Sequence, residues 1–165
     1  MDATPPFPGP PSRDLVVRAC GALAVAASIL FVVAGWLPYL RFAQGDLSDP
    51  FAVQAIFACH FPGCGWYSVE LWLLALITMI VGISLVAALR VRVQVAATAL
   101  IVLALWALSL FLGYYAGPRN EPGTEGGSGG LVGVLGSVTL AAAAILYSAR
   151  AASSMRATRT PPAPT

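Results

Sequence analysis

Charged side chains are scarce in this sequence. Only 10% of the 165 residues are charged and 58% are hydrophobic, whereas a soluble domain has about 25% charged and roughly 45 to 50% apolar residues. Lysine is absent, and nine arginines against seven acids leave a net charge of +2. Because no basic stripe is available to hold a phosphate backbone, we exclude nucleic acid as a partner. The composition is that of an integral membrane protein.

Four segments contain no Asp, Glu, Lys, Arg or His. They are residues 19–40, 71–89, 95–116 and 131–149. At about 1.5 Å per residue they measure roughly 28 to 33 Å, close to the ~30 Å thickness of a hydrocarbon layer. Lipid offers no hydrogen-bond partner to a backbone, so each segment must be a helix. The sequence therefore predicts an all-α fold, a bundle of four transmembrane helices, with the lipid bilayer as its first partner.

This membrane domain is expected to occupy residues 15–150. Residues 1–14 and 151–165 are rich in proline and are predicted to be disordered tails. The first apolar run could also be read as a signal peptide, but it is longer than the ~7 to 15 residues of such a core. We therefore expect it to remain as a membrane span.

The lack of ionisable groups inside the spans excludes several activities. Proton relays and transporters need such groups in the bilayer, or helices broken at mid-membrane, and no proline lies in the middle of a run. The single histidine also excludes a bis-histidine haem within one chain. We expect no cofactor and no enzymatic activity.

Arginines are distributed unevenly between the two predicted faces. One face would carry seven of them: Arg13, Arg18, Arg90, Arg92, Arg150, Arg156 and Arg159. The other face would carry only Arg41 and Arg119. The positive-inside rule then predicts a cell-membrane protein with both termini in the cytoplasm.

Aromatic residues cluster at the opposite, outer ends of the runs. The predicted interface anchors are Trp36, Tyr39, Trp66, Tyr67, Tyr114 and Tyr115. Such amphipathic rings favour the level of the lipid headgroups.

The first outer loop is the longer of the two. In its segment SDPFAVQAIF, Asp49 is a good N-cap and Pro50 a good first helical residue. Apolar side chains follow, so the pattern predicts a short helix that lies at the membrane interface.

Cysteine is also scarce, with three in the chain, and two of them flank the loop sequence HFPG. The Pro-Gly step favours a turn that brings Cys59 and Cys64 within disulfide reach, and an outer face is oxidising. The alternative is that Cys59, His60 and Cys64 bind a metal or exchange thiols with a partner, although zinc usually takes four ligands. A membrane thiol relay of the quinone-reducing or vitamin-K-epoxide-reducing type is excluded, because the only other cysteine, Cys20, lies at the far end of the first helix.

Small residues recur every four positions from just before the fourth run into it, at Gly129, Gly133, Ser137 and Ala141. Such a stripe lets another helix approach closely in lipid. We expect it to pack against the first or second helix of the same bundle; the alternative is contact with another protein or with a second copy in a homo-oligomer.

Inside termini, a longer first outer loop with a cysteine pair and a tight basic inner turn are shared with tetraspan proteins. The claudin-like pattern differs, because there a Trp precedes the cysteines and here Trp66 follows them. The combination of GWLPYL, RVRV and a glycine-rich entry to a small-residue helix resembles uncharacterised four-helix membrane proteins of actinobacteria. That resemblance implies the four-helix layout and no activity. The sequence thus indicates a non-enzymatic accessory subunit or organiser of a membrane complex, partnered by other membrane proteins.

Overall fold

The computed structural model describes residues 13–43, 51–55, 64–87, 93–116, 124–126 and 128–157. In chain order its elements are α1 (Arg13–Trp36), β1 (Pro38–Ala43), β2 (Phe51–Ala55), α2 (Cys64–Val86), α3 (Val93–Ala116), β3 (Thr124–Gly126) and α4 (Ser128–Ala157).

The four predicted membrane helices are confirmed. Each helix contains a segment long and apolar enough to cross a bilayer: Leu15–Trp36, Ser68–Val86, Val93–Leu112 and Ser128–Ser153. Between 33% and 44% of each segment is buried inside the bundle, so most of the surface of every helix is left to face lipid. These features indicate a multi-pass membrane protein.

The first helix ends four residues earlier than its apolar run. Proline disfavours the helical conformation at the residue before it, and Pro38 therefore stops α1 at Trp36, with a final bond from Leu37 N to Val33 O at 3.1 Å. The opposite departure occurs in α2, which begins at Cys64, and in α4, which continues to Ala157. The ends of an apolar run indicate where the chain enters and leaves the lipid. The ends of a helix are instead determined by capping residues and prolines.

A small antiparallel sheet, with strand order β2-β1-β3, joins the loops at one end of the bundle. Pro38 opens β1, a position at which a strand tolerates proline, and the register shifts between Pro38 and Leu40, which leaves Tyr39 in a bulge. In β3, Glu125 is the register partner of Arg41.

The predicted interfacial helix in the first outer loop is wrong, because Phe51–Ala55 forms β2. A single short helix is only marginally stable. Pairing with β1 instead satisfies the backbone of both segments, and the alternation of Phe51, Val53 and Ala55 suits a strand.

Sheet pairing also fixes the direction of the helices. Strand β1 follows α1, β2 precedes α2, and β3 lies between α3 and α4. The sheet therefore lies where α1 and α3 end and where α2 and α4 begin, which we call the sheet end. Both the start of α1 and the end of α4 lie at the other end of the bundle, which we call the terminal end.

Helices that neighbour one another in the bundle are not always neighbours in sequence. Helix α1 packs against α2 and α4, and α4 packs against α3, whereas α2 and α3 contact each other only weakly. The core between them is built from leucines and alanines together with Cys20, Phe31, Phe111 and Tyr147. The bundle is thus closed along three interfaces and loosely joined along the fourth.

Candidate functional site

The stretch with two cysteines and the only histidine is described only at its last residue. Cys59 and His60 lie outside the described residues, and Cys64 is the first residue of α2. No disulfide and no group of metal-ligating residues occurs among the residues that are described. The disulfide and the metal alternative both remain predictions. Cys20, in contrast, is a free and fully buried thiol in α1.

The predicted aromatic anchors all belong to segments at the sheet end. Trp36 closes α1 with 62% of its surface exposed, and Tyr39 lies in β1. The other four occupy the first turn of α2, at Trp66 and Tyr67, and the last turn of α3, at Tyr114 and Tyr115. Their positions in these segments are as the sequence requires, and their role as interface anchors stays a prediction.

Helices α1 and α2 touch through their backbones. A Cβ placed on Gly21 would lie 2.7 Å from Gly82 O and 2.8 Å from Val86 N, and one placed on Gly82 would lie 2.9 Å from Val25 N. Backbone atoms cannot rotate out of the way, so both positions require glycine. This is the close approach that small residues permit between membrane helices.

Two buried hydroxyls lie along the same interface. Ser28 Oγ donates a hydrogen bond to Ala75 O of α2 at 2.7 Å, which ties the two helices together. Thr78 lies one turn further along α2 and is fully buried, yet its Oγ1 has no hydrogen-bond partner within the described part of the chain. An unpartnered buried hydroxyl costs stability.

Two aromatic rings meet in the core near the sheet end. Phe31 of α1 and Phe111 of α3 stack with their ring centroids 5.6 Å apart and their planes at 15°. Helix α4 makes room for them with two glycines: a Cβ on Gly133 would collide with the Phe111 ring, and a Cβ on Gly136 would lie 2.8 Å from Phe31 Cε1. This arrangement, which we call the Phe layer, joins three helices.

The predicted small-residue stripe of α4 is used within the bundle. Gly129, Gly133 and Ser137 are buried, Ala141 is half-buried, and Ser137 Oγ donates to Gly133 O at 2.9 Å. At Gly133 the neighbouring side chain is the Phe111 ring of α3, while α4 as a whole packs against both α1 and α3. The expected pairing of the stripe with α1 or α2 stays a prediction.

Sequence reasoning missed the contacts of Gly21 and Gly136. Gly136 is not part of the four-residue repeat of α4, and no such repeat was identified in α1, which contains Gly21. A glycine spaced seven residues from Ser28 on the same face could have drawn attention to Gly21. No comparable signal in the sequence pairs Gly136 with Phe31.

The loosely joined side of the bundle is a seam between α2 and α3. A cavity of about 120 Å³ opens there in the terminal half of the spans, lined by Ile80, Val81, Ser84, Leu85, Val95, Ala96 and Ala99. Ser84 Oγ donates a hydrogen bond to Ile80 O within its own helix. The surface of the α2–α3 seam is therefore apolar, and it includes large exposed side chains such as Ile80 and Val95, which are 55% and 58% exposed.

The chain matches no family model, no curated protein and no solved structure. Within the described residues the bundle offers tight internal contacts, one loosely packed seam and no group of three or more metal-ligating side chains.

Proposed function

We propose that this protein is a non-enzymatic accessory subunit or organiser of a membrane complex, and that the α2–α3 seam receives a transmembrane helix of a partner protein. The observation that carries the proposal is the contrast in packing. Three interfaces are closed by glycine contacts, an interhelical hydrogen bond and the Phe layer, whereas α2 and α3 barely touch.

The chemistry of the seam suits a helix. Lipid and leucine are equally apolar, so membrane helices associate through close packing and not through a hydrophobic drive. Ala96 and Ala99 of α3 and Ser84 of α2 supply the small side chains that close packing requires. A polar solute would find no charged group along this surface.

Site-specific photo-crosslinking in native membranes tests this function. A photoreactive amino acid would replace Ile80 or Val95, both exposed at the seam. Leu135 of α4 is 56% exposed and lies away from the seam, so it serves as the matched control. We expect protein adducts at Ile80 and Val95 but not at Leu135, with the partner's crosslinked residue inside one of its own membrane spans.

Other outcomes would change the assignment. Adducts to a second copy of the chain would replace the heterologous partner by a homo-oligomer. Equal labelling at all three positions, or adducts to lipid alone, would contradict the proposal.

The orientation belongs to the same proposal. We propose that the terminal end faces the cytoplasm across the cell membrane, which the bias of arginines toward that end supports. Arg13 and Arg18 lie in α1 at the terminal end, and Arg41 lies in β1 at the sheet end. Tags at the two chain ends should both resist protease added outside intact cells, and digestion of either tag would overturn this orientation.

The outer loop would then contribute a second contact surface. We propose that Cys59 and Cys64 form a disulfide there, because the outer face is oxidising and the loop between them is short. Intact-mass spectrometry with and without reductant should show a reducible bond between the two cysteines and no metal. Bound copper or zinc that is lost in His60→Ala would support the metal-binding alternative instead.

A further inference from the structure

An apolar groove runs along the lipid-facing side of the α1–α2 interface at the terminal end. Its volume is about 350 Å³, and its lining residues are Ala22, Val25, Ile83, Val86 and Ala87. The two helix backbones approach closely at Gly21 and Gly82, which form the floor of the groove. The side chain of Ala22 is too small to fill the space between this floor and the surface of the bundle. Every lining side chain is aliphatic.

The positively charged residue Arg18 lies near the terminal end of this groove. Arg18 precedes Ala22 by four residues and Val25 by seven, so the three share one face of α1. Arg18 is exposed, and it lies close to the first residue of the span that begins at Leu15. The helix spacing therefore places Arg18 one turn from the aliphatic groove, close to the Leu15 end of the span.

We infer that this face binds one anionic phospholipid of the leaflet at the terminal end, with an acyl chain in the groove and the phosphate on Arg18. The lining residues extend over about one helical turn of each helix, which suits a segment of an alkyl chain, and their lack of polar groups excludes a sugar or a peptide backbone. A planar guanidinium binds phosphate oxygens in pairs. Basic residues beside pockets between membrane helices are a known means of holding anionic headgroups.

The two parts of the site have different tasks. An acyl chain gains little by moving from the bilayer into an aliphatic groove, since both surroundings are equally apolar. The groove therefore fixes the position of the lipid, whereas Arg18 decides between anionic and zwitterionic headgroups. Selectivity should depend on charge, and retention should depend on the shape of the groove.

A neighbouring arginine supplies a control. Arg150 of α4 lies within electrostatic range of Cys20. Cys20 and Ala22, two positions apart, point to nearly opposite sides of α1, so Arg150 belongs to the other side of the helix from the groove.

Native mass spectrometry of the full chain in detergent tests the site. The probes are phosphatidylglycerol and phosphatidylcholine with identical acyl chains. We expect phosphatidylglycerol to bind preferentially, and Arg18→Gln to weaken its binding roughly fivefold, as expected for the loss of one arginine near an anionic headgroup. Arg18→Lys should keep most of the preference, and Arg150→Gln should leave it unchanged.

Filling the groove tests its part separately. Ala22→Phe should reduce retention of both lipids without changing the preference between them. If that variant melts at a lower temperature than the parent, Ala87→Leu at the far side of the groove replaces it. Equal binding of the two lipids, or unchanged phosphatidylglycerol binding in Arg18→Gln, would overturn the inference. The proposed partner helix at the α2–α3 seam would be unaffected, because Ile80 and Val95 do not line this groove.

Discussion

The closed interfaces around α1 and α4 and the seam between α2 and α3 are made from nearly the same kinds of residues. Both are apolar and rich in alanine, yet the first group packs backbone against backbone and ring against glycine, whereas the seam leaves a cavity. In lipid, hydrophobicity does not distinguish a contact from an exposed surface. The positions of glycine and of matching large side chains decide which helices pair.

The largest effect should come from the Phe layer. Gly133→Ala would bring a methyl group into collision with one edge of the Phe111 ring, and we expect it to lower the free energy of unfolding by about 3 kcal/mol, the upper end for an overpacked core. Alanine is otherwise a better helix former than glycine by roughly 1 kcal/mol. A decrease in stability in Gly133→Ala would therefore indicate a steric clash, because helix propensity alone predicts an increase. The measurement is unfolding in mixed micelles of increasing SDS fraction.

A double-mutant cycle gives the control. Phe111→Leu should relieve part of the clash, so the two substitutions together should cost less than the sum of the single effects. Simple additivity would show that Gly133 does not meet the ring.

The glycine contact between α1 and α2 should rank second. Gly82→Ala would bring a methyl group 2.9 Å from Val25 N and 3.0 Å from Gly21 O, and we expect a loss of about 2 kcal/mol because the helices must separate. The neighbouring Ile83 is 53% exposed, and Ile83→Ala should change stability by no more than about 0.5 kcal/mol. Similar losses at both positions would contradict the tight crossing.

A smaller effect of opposite sign is expected at Thr78. Thr78→Val removes a buried hydroxyl that has no partner among the described residues, so the bundle should gain about 1 kcal/mol. Ser28→Ala removes a hydroxyl that does have a partner and should lose about 0.6 kcal/mol, the average for such bonds between membrane helices. A loss in Thr78→Val would mean that the hydroxyl is satisfied, for example by a buried water.

The smallest effect should occur at the seam. Ala99→Leu enlarges a residue that lines the cavity, and we expect stability to stay within about 0.5 kcal/mol of the parent. Ala107 of α3 is fully buried in the closed core, and Ala107→Leu should cost about 1 to 3 kcal/mol. Equal costs would show that α2 and α3 are packed as tightly as the other pairs.

The spans could be predicted because a run without charged residues has one stable solution in lipid. The four predicted helices agree with the structure in number and approximate position. Their ends could not be placed as well, because Pro38 acts through local sterics and the end of α4 lies beyond its apolar run.

The contacts between helices and the pairing of strands were predicted less well than the membrane spans. The α4 stripe predicted that small residues would be used, but α3 supplies the ring that Gly133 accommodates. In the segment between α1 and α2, the signals at Asp49 and Pro50 favoured a helix, yet β1 was available to pair with residues 51–55. That pairing joins residues 8 to 17 positions apart, whereas a helix-capping pattern covers only the few residues of one turn.

The sequence by itself determined that this chain forms four helices long and apolar enough to cross a membrane, because transfer into lipid depends on composition and length alone. Only the tertiary structure decided that α1 pairs with α2 and α4, that Gly133 accommodates Phe111, and that α2 and α3 leave a seam. The physical reason is that helix pairing in lipid depends on the match of shapes across each interface, and hydropathy carries no record of shape.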